Sequence, residues 1–103
     1  MKEFYIVWTQ FWNVNGFSLV DLNTHKLSVQ LQIPAGEDIS PFVETVVGTM
    51  VNSIDVPYGI VTAPFVTYTG KTGICIIKND GSISVLSTQV IPQEDLIYIN
   101  MCW

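Results

Sequence analysis

The chain of 103 residues sets nine Asp or Glu against four Lys and no Arg, with 49% apolar and 13% charged residues. Phosphate backbones and base edges are held by clustered Arg and Lys, which excludes nucleic acid as the expected partner and disfavours an anionic membrane surface. A chain this short hides only about two-thirds of its unfolded surface, and ordinary domains carry about 25% charged residues, so the shortage of charge predicts an oligomer that shares apolar surface.

In chain order, MKEFYIVWTQFW has one early Lys and an apolar run broken by Glu3 and Thr9-Gln10, without a small-residue cleavage site. It does not read as a secretory signal, and no apolar stretch approaches the roughly 20 residues of a membrane helix. Synthesis in a cytoplasm without membrane insertion is expected. Asn15-Gly16 predicts a hairpin between FYIVWTQFW and FSLVDL. NTHK (23–26) predicts a second break, with His25 in a solvated loop, and so a three-strand meander near the start. LSVQLQI (27–33) alternates Leu27, Val29, Leu31 and Ile33 with Ser28, Gln30 and Gln32, the period of a strand with one buried face.

PAGED (34–38) ends that strand in a loop. For SPFVETVVGTMV (40–51) two readings stand: a short helix with Ser40 capping and Pro41 leading, or a strand from about Thr45, where Val and Thr dominate. VPYG (56–59) is a turn, and IVTAPFVTYT (60–69) a strand. Pro64 cannot donate a ladder bond, which places that strand at an edge or a bulge. GKTG (70–73) turns into GICIIK, and Asn79-Asp80-Gly81 joins it to SISVLS as a hairpin. After a loop with Glu94 and Asp95 in solvent, LIYINMC (96–102) closes the chain as a strand. Seven to nine short strands make one all-β domain over residues 1–103, a small antiparallel β-barrel or jelly-roll-like sandwich.

The chemistry-bearing residues are sparse. One His and two distant Cys do not make a zinc shell, no nucleophile elbow or phosphate-cradling loop occurs, and two carboxylates across a cleft are not expected in so small a chain. The expectation is a non-enzymatic protein without metal or cofactor. Cys75 and Cys102 read as two buried free thiols, with a 75–102 bridge left open. Aromatic rings beside Asp or Asn offer a neutral saccharide a stacking face and a hydrogen-bonding edge. On that ground Trp12, Asp55, Tyr58 and Tyr68 are the candidate saccharide-binding residues.

From residue 27 onward, the alternating strand, IPAGEDIS, TVVGTM, VPYG, the hairpin GICIIKNDGSISV and the final LIYINMCW come in a familiar order. That order resembles the head domain of siphophage receptor-binding and baseplate tail-tip proteins of Gram-positive hosts. The resemblance implies a barrel or jelly-roll head in the virion, at the tail tip or baseplate. Such a head is a homotrimer that binds host cell-envelope saccharide and touches other tail or baseplate proteins. Family members carry a helical neck before the head, which this chain does not show, and their sugar contacts vary too much for any to be carried over. The other readings are a structural baseplate or virion assembly protein, a monomeric bacterial carbohydrate-binding module, and a small hydrolase.

Overall fold

The computed structural model describes residues 2–8 and 13–103. Among these, nine antiparallel strands form one curled, half-barrel sheet: β1 (Lys2–Glu3), β2 (Ile6–Trp8), β3 (Asn13–Asp21), β4 (Thr24–Gln32), β5 (Thr45–Met50), β6 (Val61–Thr67), β7 (Thr72–Ile77), β8 (Ser82–Leu86) and β9 (Leu96–Cys102). The only helical element among the described residues is a 3-10 turn, Ser53–Asp55.

Across the sheet the order is β1-β3-β4-β9-β6-β7-β8-β5-β2. Its two outermost strands are halves of one N-terminal segment, separated by Phe4 and Tyr5 alone. Lys2 and Glu3 pair with Val20 and Leu19 of β3, while Ile6–Trp8 pairs with 48–50 of β5. Between them the Phe4 N–H donates to Ser18 O, and Tyr5 O accepts from the Val51 N–H. The segment therefore pairs with part of each open edge, 18–20 of β3 and 48–51 of the β5 side, where unpaired backbone would otherwise invite strand addition from another molecule.

Inside lies the face that the period-two pattern marks. Leu27, Val29, Leu31 and Ile33 are all buried, joined by Ile97, Ile99 and Met101 of β9, Ile83 and Val85 of β8, and Cys75 and Ile77 of β7. Cys75 is a free thiol whose pKa burial pushes up to about 12, so it stays protonated and serves as packing. Strand β6 meets β9 only at Val66 and Thr67. The Thr67 N–H donates to Lys71 O across the β6–β7 turn. By alternation, the backbone of Pro64 faces the opposite side, where β6 and β9 part, so its missing N–H leaves no ladder bond unmade.

Several expectations are corrected. Asn15-Gly16 is no hairpin; both residues lie inside β3, paired with Gln30 and Val29. Gly16 is there because the β4 backbone comes too close for a Cβ: its φ is +132, and a Cβ would stand 2.1 Å from Ser28 O. The reversal falls instead at Leu22-Asn23, with Leu22 at positive φ. His25 is buried in β4, two residues before Leu27 on the same inward face. Asp95 is buried and hydrogen-bonded, and Cys102 is exposed on an outward position. Segment 40–51 becomes a strand from Thr45, and the Asn79–Gly81 hairpin forms as expected, Lys78 N–H donating to Ser82 O.

Gly16→Ala is expected to lower stability by about 2 kcal/mol or more, because strained φ and a backbone clash act together. Gly36→Ala, also at positive φ but with nothing near its Cβ position, costs about 1 kcal/mol. Thermal unfolding of the two variants checks this; equal losses would refute the close approach of β3 and β4.

Candidate functional site

At one rim of the half-barrel, where β6 and β9 separate, the loop 51–60 folds over the gap and is tied down from beneath. Asp55 and His25 are 7% and 8% exposed, and His25 Nε2 lies 3.0 Å from Asp55 Oδ1. A carboxylate only accepts, so Nε2 carries a proton, and Nδ1 is buried without a hydrogen-bond partner. Trp103 Nε1–H donates to Asp55 O at 2.9 Å. The Trp103 ring lies flat on His25, with centroids 5.2 Å apart and an interplanar angle of 2°. Phe4 meets both rings edge-on. Backbone bonds in both directions between His25 and Trp103 complete the clamp.

The loop so anchored carries Tyr58, fully exposed, on a ridge between two clefts. One, of about 620 Å³, is mostly apolar, with Ile54, Ile60, Val61 and Trp103 on its walls and Asn23 at its rim. The other, of about 530 Å³, lies between the loop and the β7–β8 turn and presents Ser53, Asn79 and Asp80 beside Tyr58. Asp80 is held in position by the Ser82 N–H at 2.9 Å and the Ser82 hydroxyl at 2.7 Å. Those bonds keep its carboxyl below the usual carboxylate range, so it is an oriented anion with a second oxygen free of Ser82. The turn is seated against the end of β5 and the loop: the Met50 N–H donates to Gly81 O, and a Cβ on Gly81 would meet Val56 at 3.3 Å.

The four candidate residues are therefore not brought together. Trp12 lies outside the described residues. Asp55 sits beneath the loop with one carboxylate oxygen on His25, where it positions Tyr58 without facing either cleft. Tyr68 is exposed just past the far end of β6, roughly 20 Å or more from Tyr58 at the spacing of an extended strand. Its turn is tied down by Asp95, which accepts from the Thr69 hydroxyl at 2.6 Å and from the N–H groups of Thr69 and Leu96. Asn79 and Asp80 were assigned only a turn role on sequence. Their position beside Tyr58 follows from the β5–β8 pairing, to which no local pattern points. His25 did leave a signal, since stepping back two residues from Leu27 reaches it.

No protein-family model matches the chain, and neither a curated protein nor a solved structure matches it at a significant level. Among the described residues, no three of His, Cys, Asp or Glu come together in a metal-holding group.

Asp55→Ala leaves a buried imidazole N–H without an acceptor and is expected to cost about 1–3 kcal/mol. Faster amide exchange at Val56 with unchanged exchange in β4 distinguishes a freed loop from general loosening. A second expectation concerns acid. Burial pushes the Asp95 pKa up, but the Thr69 and Thr67 hydroxyls and the Leu96 and Thr69 N–H groups outweigh it, and the net value is lowered. A depressed folded pKa contributes stability above the unfolded value of about 3.9, which is lost as pH falls through the folded one. Asp95→Asn should flatten the acid limb of a stability–pH curve below about pH 4; an unchanged limb would show that Asp95 makes no such contribution.

Proposed function

We propose that the protein is a non-enzymatic receptor-binding head of a phage tail tip or baseplate, a homotrimer in the virion that recognises saccharide on the host cell envelope. The order of elements from residue 27 onward supports the family side of this reading, and the curled all-β sheet agrees with it. The observation that carries the saccharide side is Tyr58: an exposed ring on a loop pinned by the Asp55–His25–Trp103 clamp, beside Asn79 and an oriented Asp80. A ring face takes the apolar side of a pyranose, while a carboxylate and an amide accept from and donate to vicinal hydroxyls. Because the loop is already ordered, binding does not have to supply its entropy. An open cleft of this size gives weak binding per site, and three heads on one spike multiply it through effective concentration.

Glycan-array binding and adsorption to host cells test the assignment. Tyr58→Ala and Asp80→Ala should each lower glycan binding tenfold or more, while Tyr68→Ala, at the other end of β6, should leave it within twofold. Wild-type binding that survives both substitutions would remove the cleft as the site. An array that stays silent for the wild type, together with capture of a purified tail protein, would favour the assembly reading.

A further inference from the structure

Among the described residues, the cleft between the loop 51–60 and the β7–β8 turn has a single charged side chain on its walls. Val56 and Pro57 supply apolar surface, Ser53 and Asn79 neutral oxygen acceptors, Tyr58 an exposed ring and Asp80 the charge. The Ser82 N–H and hydroxyl both donate to the same oxygen of Asp80, Oδ1, at 2.9 and 2.7 Å. These two bonds fix the carboxylate and leave Oδ2 with no other side chain on it among the described residues.

No cation of this chain neutralises that carboxylate by direct pairing. The chain has four Lys and no Arg. Lys78 is two residues away, but its ammonium donates to Glu44 at 2.8 Å. Glu44, Lys78 and Asp80 thus sum to one negative charge, and the carboxylate left over is the one in the cleft. Lys71 lies in the β6–β7 turn at the opposite end of β7, while Lys2 and Lys26 belong to β1 and β4. His25 is buried on Asp55 and lines the neighbouring cleft instead. Apolar walls beside an unpaired charge focus its field into the cleft, and a protein of net charge −5 adds to it at longer range.

We infer that this cleft takes a saccharide bearing a free primary ammonium group, an amino sugar, with the ammonium on Asp80. The inference rests on the saccharide reading of the same cleft and gives its ligand a charge. An ammonium has three donors and no acceptor, and the carboxylate of Asp80, the carboxamide oxygen of Asn79 and the hydroxyl of Ser53 are the acceptors that the cleft offers it. A hydrogen bond from a cation to a carboxylate is about twice as strong as one between neutral groups. The face of the Tyr58 ring attracts a cation within about 6 Å as well. A sugar phosphate or a uronic acid would set its own charge against Asp80 with no cation to offset it, so the same feature that favours an amine rejects an acid. N-acetylation keeps the pyranose and removes the charge.

Titration of the full chain with a glucosamine trisaccharide and with its N-acetylated counterpart, followed by amide chemical shifts, tests it. At about pH 6 the amine is protonated and Asp80 ionised, and low salt keeps the interaction unscreened. The amine form is expected to bind about tenfold or more tightly, with shifts at Tyr58, Asn79 and Asp80. Asp80→Asn keeps an oxygen for the Ser82 donors, and so the turn, and should bring the two ligands within about twofold. Asp38→Asn removes the same unit of charge from a loop that does not line the cleft and should keep the preference. Loss of the preference in Asp38→Asn would reduce the effect to net charge and overturn the assignment. Equal binding of the two forms by wild type, or a preference for the N-acetylated one, with Tyr58 shifting, overturns the ammonium and leaves the saccharide site standing. A Tyr58 signal that moves with neither form, in a chain that also binds no neutral glycan, overturns both.

Discussion

Closure of the sheet by the N-terminal segment is the constraint on which the rest of the molecule depends. Residues 2–3 pair with one edge and residues 6–8 with the other, and Phe4 between them points inward, 2% exposed, onto His25 and Trp103. A single side chain thus joins the seam of the sheet to the clamp beneath the loop 51–60. The hydrophobic contribution of burying a Phe, about 2–3 kcal/mol, acts on both at once. Loss of the seam would expose two strand edges and loosen the Tyr58 loop together.

The clamp itself is polar where a core is expected to be apolar. His25 occupies an inward position of β4, and its imidazole would be costly there without Asp55. Asp55 in turn receives the imidazole N–H on its carboxylate and the Trp103 indole N–H on its backbone oxygen. These bonds specify one position for a loop that has little regular structure of its own. Rigidity at the base and exposure at the tip are the combination that would let a short loop offer an aromatic ring to the proposed ligand without an ordering cost on binding.

The outer face of the sheet is polar on one side and more apolar on the other, because a sheet of this size has more outward positions than the chain has charged residues to cover them. The polar residues that exist are concentrated on β3, β4 and β9, which leaves the face of β6, β7, β8 and β5 the more apolar one. Clefts beside Tyr58 lie at the end of the strands, apart from the face along their length.

Strand character was readable wherever one face is buried and the other wet. LSVQLQI and LIYINMC each carry a period of two that water enforces locally, and the Asn79–Gly81 reversal needs only backbone preferences at three positions. Residues whose role depends on a distant strand were not readable. Asn15-Gly16 has the local chemistry of a turn, yet Ser28, twelve residues on, makes Gly16 the residue that lets two strands approach. His25 and Asp55 lie thirty residues apart, and Asp80 reaches Tyr58 only because β8 pairs with β5. Local composition and periodicity thus established an all-β chain, its buried faces and most of its reversals, because those are decided between neighbours and solvent. Which edges meet, which polar groups are enclosed together and which turns share a cleft were decided by long-range pairing, whose free energy is absent until the sheet has closed.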